Sequence, residues 1–121
     1  EPLYDTCNSL WFANDFGHTC GNLVNSHRND IKRWLYDTTI RMANKTKLIH
    51  AGYIVPPYNG SDYHGCLYYD DFKSQRAIPN YTEMKELLRL FVKRDDVYTL
   101  VEPETNHPHN FIVLSEIVNS L

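Results

Sequence analysis

The sequence is poor in the residues that commit a chain to a membrane or to specialised chemistry. No uninterrupted apolar run approaches the ~18 residues that a membrane-spanning helix needs, and no signal-peptide pattern is visible. The three cysteines, Cys7, Cys20 and Cys66, are too few and odd in number for a disulfide framework, which leaves at most one bridge and a free thiol. Only five glycines are present, and none falls in a phosphate-cradling loop or a G-x-S-x-G elbow. C-x-x-C and H-E-x-x-H are also missing. Positive charge is short too: 12 Lys and Arg stand against 15 Asp and Glu, for a net charge of -3 and a pI near 6.0. That argues against holding DNA or RNA by bulk charge while leaving room for a local basic patch.

What the chain does have is enough apolar residue for a core. With 121 residues, 42% of them hydrophobic, one compact domain over residues 1–121 is expected, burying roughly two thirds of its unfolded surface. Its first residue is Glu1 rather than Met, as in a processed chain or a piece of a longer one.

The clearest local signals lie between Pro79 and Leu114. Asn80 and Glu83 stand three apart, the spacing of a capping box in which each side chain bonds the other's backbone N–H. Met84, Leu87, Leu88, Phe91 and Val92 then follow helical spacing, and Lys93 and Arg94 suit the negative end of such a helix. Two apolar runs follow, Val97 to Val101 and Phe111 to Leu114. They are joined by a polar segment whose prolines cannot donate to a ladder, and this predicts a β-hairpin with a long loop.

Upstream, Leu3, Cys7, Leu10 and Trp11 recur at helical spacing until Asn14, Asp15 and Gly17 end the pattern. A polar connector over 17–25 leads to a second helix capped by Ser26, with Ile31, Trp34, Leu35, Thr38 and Met42 on its apolar face. Lys47 to Val55 reads as a short strand halted by Pro56 and Pro57. His64 to Phe72 fits a short helix somewhat better than a strand, and Ser115 to Leu121 reads as a closing helical turn. From the second helix onward this is the element order of a winged helix. The expected fold is therefore α+β and winged-helix-like, with helices packed on a small antiparallel sheet or hairpin; a generic α+β arrangement is the alternative.

Two groups of residues are candidates for binding. Tyr53, Tyr58, Tyr63, Tyr68 and Tyr69 crowd into one third of the chain, and tyrosine offers a broad apolar ring with a polar tip suited to peptides or unstacked bases. Lys85, Arg89 and Lys93, at i, i+4 and i+8, span about 80° of a helix, where a recognition helix would meet phosphates. The bland readings are tyrosines closing a small core and a solvated charged face.

Metal chemistry has a weaker signal. His18-Thr-Cys20 and His64-Gly-Cys66 repeat a His-x-Cys spacing that together supplies the donor set of a zinc tetrahedron, although the spacing is tighter than that of known zinc knuckles. His107-Pro-His109 is a second pair, in the proposed loop, with no carboxylate at a set distance beyond Glu102 and Glu104. Asp70-Asp71 with Glu83 and Lys85 resembles a metal-dependent nuclease array only superficially, because Glu83 already serves the helix cap. Cys20 or Cys66 with a distant histidine has nothing to orient it as a nucleophile.

The sequence thus points to a binding module rather than an enzyme, with no cofactor. It would hold a protein partner by preference, and a single-stranded nucleic acid otherwise, through the tyrosines and the basic helix face. A different class, an extracellular or viral-surface glycoprotein with Cys7 bridged to Cys20, is motivated by sequons at Asn44, Asn59 and Asn80; an intracellular location is nevertheless slightly favoured. A small zinc-binding protein is the minor alternative.

Overall fold

A computed structural model of the chain describes residues 9–121. Its strands are β1 (Phe12–Asp15), β2 (Thr46–His50) and β3 (Tyr98–Leu100), and its α-helices are α1 (Phe16–Gly21), α2 (Arg28–Met42), α3 (Tyr81–Arg89) and α4 (His107–Asn119). Single turns of 3-10 helix occupy Ala43–Lys45 and Asp70–Lys73. Among the described residues, no helix is long and apolar enough to cross a membrane.

The mixture of helix and strand agrees with the expected α+β content, but the sheet is not antiparallel. β2 lies between β1 and β3 and runs parallel to both. Parallel neighbours cannot be joined by a hairpin, so each pair needs a crossover of a dozen residues or more. α1 and α2 supply the first crossover, and α3 with the long segment before it supplies the second. The antiparallel wing expected after Asp96 is absent: Val97 to Val101 contributes β3, and Phe111 to Leu114 lies inside α4.

The prolines explain that correction. Pro108 is the second residue of α4, where a missing N–H costs nothing, and the Asn106 side chain accepts from the His109 N–H in front of it. The Phe-Ile-Val-Leu run has apolar residues on both faces of the helix. Leu114 and Ile117 are buried while Phe111, Ile112 and Val118 stay exposed, and such a run cannot be told from a strand by periodicity alone.

Other expectations move by smaller amounts. Phe12 to Asp15 is strand where a helix was expected, and the Leu3 and Cys7 end of that helix lies outside the described residues. The connector after it contains α1, and α2 begins without a side-chain cap from Ser26. The predicted apolar face of α2 holds, with Ile31, Leu35, Thr38 and Met42 buried, while Trp34 donates its indole N–H to the Thr19 carbonyl at 3.0 Å and ties α2 to α1.

α3 carries the expected capping box, with both bonds at 3.0 Å. Met84, Leu87, Leu88 and Phe91 pack into the core beside Phe16, Ile49, Tyr53 and Phe72, but Val92 is 55% exposed. The helix stops at Arg89, so its 3.6-residue period no longer governs position 92.

The Glu83 carboxylate does more than cap. It takes two hydrogen bonds from Arg28, at 2.6 and 3.0 Å, and faces the Lys32 ammonium at 3.3 Å. Its side chain is only 7% exposed, so removing it strands a guanidinium. Glu83→Ala is expected to cost about 3–5 kcal/mol, against about 1 kcal/mol for Asn80→Ala, as read by denaturant unfolding. Burial opposes ionisation of Glu83, but Arg28 and the Asn80 N–H outweigh it and hold the carboxyl below its ordinary range. Its contribution is therefore complete above that range and lost as the pH falls through the lower folded value.

Candidate functional site

In a parallel sheet the loops leaving the carboxyl ends of the strands gather on one edge, where α/β folds collect their ligands. Here Asp15 ends β1, His50 ends β2 and Glu102 lies two residues beyond β3, with Asp15, His50 and Leu100 in register across the strands. Along this edge runs a cavity of about 50 Å³, space for a few water-sized groups, lined also by His18 of α1 and by Asp62 and His64 of the long loop after β2.

All five glycines of the chain, Gly17, Gly21, Gly52, Gly60 and Gly65, line this one cavity. At two of them the reason is local. Gly60 adopts φ +79°, which side chains rarely tolerate, and a Cβ on Gly65 would lie 2.5 Å from the Tyr53 hydroxyl. The loop thus lies so close to the core tyrosines that a side chain cannot be accommodated at Gly65.

The acidic residues and histidines form a closed circuit in which they alternate, one link running through the Glu102 backbone carbonyl. Asp15 Oδ1 accepts the His18 backbone N–H at 3.0 Å and so caps α1, while Asp15 Oδ2 stands 2.7 Å from His18 Nδ1. His18 Nε2 is 3.2 Å from Asp62 Oδ1, and His64 Nε2 approaches the same oxygen at 3.1 Å. His64 Nδ1 lies 2.9 Å from the Glu102 carbonyl, and Glu102 Oε2 is 3.4 Å from His50 Nδ1, which is 3.3 Å from Asp15 Oδ2. These last two approaches are poorly directed, so the buried His50 Nδ1 feels both charges without a formed hydrogen bond.

Proton positions follow from the partners. A carbonyl only accepts, so His64 carries hydrogen on Nδ1, and the Asp15 carboxylate requires the same of His18. The nitrogen that titrates in each ring is then Nε2, the one facing Asp62. The hydrogen bond to Asp15 is the main reason that His18 holds its proton above the ordinary imidazole range, with the Asp15 charge next. For His64, burial pulls the other way, but Asp62 and the Glu102 carbonyl overcome it and the net shift is again upward.

The residues singled out from the sequence are scattered. Tyr53 is buried, donates to the Cys66 carbonyl at 2.8 Å and packs against Tyr63 and Phe72. Tyr58 donates to the Arg76 carbonyl at 2.8 Å. Tyr68 and Tyr69 meet edge to face, Tyr68 stacking on His109 at 4.4 Å and Tyr69 bonding Glu104 at 3.0 Å. The five do not make one platform, and of them only Tyr63 lines the cavity. Lys85 is half-buried, its ammonium 6.0 Å from the Tyr81 ring centre, and Arg89 and Lys93 are exposed. Lys93 lies past the end of α3.

The two His-x-Cys pairs bring their histidines together but not their thiols. Cys20 and Cys66 are buried free thiols, with Sγ directed to the Ile78 carbonyl at 3.7 Å and the Thr105 carbonyl at 3.5 Å. Burial pushes the Cys20 thiol well up in pKa, away from nucleophilic thiolate chemistry. Cys7, its proposed partner, lies outside the described residues. Among the described residues, no three His, Cys, Asp or Glu side chains are set to hold a metal ion. Of the sequons, Asn44 and Asn59 are exposed, whereas Asn80 is buried in its cap.

Sequence reasoning did not find Asp15, His50, Asp62 or Glu102. A usable signal was present, because each histidine of the circuit lies within two residues of a glycine: His18 by Gly17, His50 by Gly52 and His64 by Gly65. Comparison of the chain with protein-family models, with curated proteins and with solved structures found no match.

The Asp15–His18 pair can be tested directly. Asp15→Asn keeps an oxygen for the α1 cap but removes the negative charge. The His18 titration midpoint, followed by NMR, is expected to fall relative to wild type.

Proposed function

We propose that the chain acts on a small polar molecule at the carboxyl edge of its parallel sheet, with His18 as the proton-transferring group and Asp15 positioning it. The Asp15 Oδ2–His18 Nδ1 contact of 2.7 Å carries this reading. A carboxylate on Nδ1 fixes the tautomer that leaves Nε2 toward the cavity and stabilises the imidazolium formed when Nε2 takes a proton. The glycine lining supports it, because a side-chain-free wall lets backbone approach a ligand closely. The limited space favours a small reacting group such as an acyl ester, attacked by water that His18 deprotonates.

The measurement is hydrolysis of p-nitrophenyl acetate by the wild type and His18→Gln. His18 is 64% exposed in its side chain, so the substitution leaves the core intact. General-base catalysis by one positioned side chain is worth roughly 10²–10⁴-fold, and a loss in that range is expected. The rate should rise with pH through a midpoint above the ordinary imidazole value, because neutral His18 is the active form and its carboxylate neighbours hold its proton. A His18→Gln protein as fast as wild type would end the reading.

A second reading keeps the interaction module on α3, independently of a winged-helix arrangement. None of Lys85, Arg89 and Lys93 has an ion-pair partner among the described residues, and Leu90 and Val92 beside them are 46% and 55% exposed. A cationic surface with apolar neighbours suits an acidic protein partner, or a single-stranded nucleic acid. Lys85→Ala/Arg89→Ala is expected to lower the salt dependence of single-stranded DNA binding by a slope of about 1–2. If no binding occurs even at low salt, only the protein partner survives.

A further inference from the structure

Asp62 holds an unusual place for a loop carboxylate. It is 66% exposed in its side chain, yet one of its oxygens is approached by two imidazole nitrogens, His18 Nε2 at 3.2 Å and His64 Nε2 at 3.1 Å. Both rings are anchored from behind on Nδ1, His18 by Asp15 and His64 by the Glu102 carbonyl, so their free nitrogens converge on one point at the cavity rim. The anchors sit on different elements, the end of β1 and the segment after β3, and so do the rings, on α1 and on the loop. Neither anchor involves Asp62.

We propose that His18 and His64 form a carboxylate clamp, and that Asp62 occupies it as an internal stand-in for the carboxylate group of a small ligand. This rests on the reading of the cavity as the ligand site, and it names the chemical class that the site holds. A carboxylate is also what hydrolysis of an acyl ester leaves behind, so the clamp would retain the acid product.

Every charged group facing the clamp bears on its pH dependence: Asp15 at the end of β1, His50 at the end of β2, Glu102 after β3, and His18, Asp62 and His64 themselves. With both Nε2 atoms protonated, two cations and two N–H donors meet the incoming oxygen, the charge-assisted geometry that makes such bonds strong. Once they lose their protons, bare lone pairs and the carboxylates Asp15 and Glu102 face the ligand and repel it. Binding should therefore be strongest where the ligand is ionised and both histidines are still protonated, and vanish as the two histidines lose their protons.

The test uses the full chain, acetate as probe and the variant Asp62→Asn, with Asp62→Ala as a second variant should the amide keep the clamp filled. Position 62 is exposed, so both variants should fold. An internal carboxylate competes with an added one at a millimolar effective concentration, so removing it should tighten acetate binding by about tenfold at about pH 6. In NMR titrations the His18 and His64 rings should shift together with one midpoint. Their own titration midpoints, lowered by the substitution, should rise again as acetate saturates the site. Acetamide, which has the shape without the charge, should produce neither effect.

Equal responses to acetate and to chloride at matched ionic strength, or separate midpoints for the two rings, would overturn the clamp. The outcome is separable from the catalytic reading. Acetate binding without ester hydrolysis keeps the clamp and removes the catalysis, and hydrolysis without a joint histidine response does the reverse.

Discussion

The arrangement depends on a single buried carboxylate, Glu83, which joins the two crossovers of the sheet. A parallel sheet has no hairpins to hold its strands in place, so the crossovers must be fixed to one another. Arg28 opens α2 in the first crossover, and Glu83 lies in the first turn of α3 in the second. Their two hydrogen bonds lock the helices together. Two further Arg28 donors go to the Gln75 and Ala77 carbonyls, both at 2.7 Å, so four of the five guanidinium N–H groups are bonded. Burying such a pair adds little net stability over an apolar contact of the same volume; its effect here is to select one packing of α2 on α3. Arg94 makes a similar tie at the other end of β2, donating to the Ala43 and Thr46 carbonyls at 3.1 Å.

What was legible in the sequence is what is encoded within a few residues. The capping box at Asn80 and the apolar face of α2 depend on spacings of three and four, and both are where the spacing puts them. The sheet was illegible because pairing direction is settled by what lies between strands, not by the strands. β3 has three residues and β1 has four, too short to show alternation. Phe111 to Leu114 misled for a physical reason: β-branched and aromatic residues on an exposed helix face look like strand, and the Asn106 cap with Pro108 in the first turn reads equally as loop composition.

The site was illegible in a different way. Its six charged members come from β1 and α1, the end of β2, the long loop and the segment after β3, and no two neighbours in the circuit are close in sequence except the Asp15–His18 and Asp62–His64 pairs. What places them together is the edge of a parallel sheet, a property of topology that appears only once all three strands run the same way. The glycines carry the same information in weaker form. A chain with five of them that spends all five on one cavity wall has placed its backbone where side chains would interfere, and their proximity to the histidines marks the wall before the fold is known.

The circuit also explains why, among the described residues, no three of these side chains are set to hold a metal ion. A metal needs several lone pairs aimed at one empty point, but here each imidazole nitrogen with a defined role faces an oxygen that already occupies that point. The sharing of Asp62 between His18 and His64 makes this most acute, since the point where their two Nε2 atoms converge is filled by a carboxylate. It sets a constraint on the chemistry as well. His18 Nε2 cannot serve as a free base while it is protonated against Asp62, so proton abstraction and carboxylate binding are alternative states of one nitrogen.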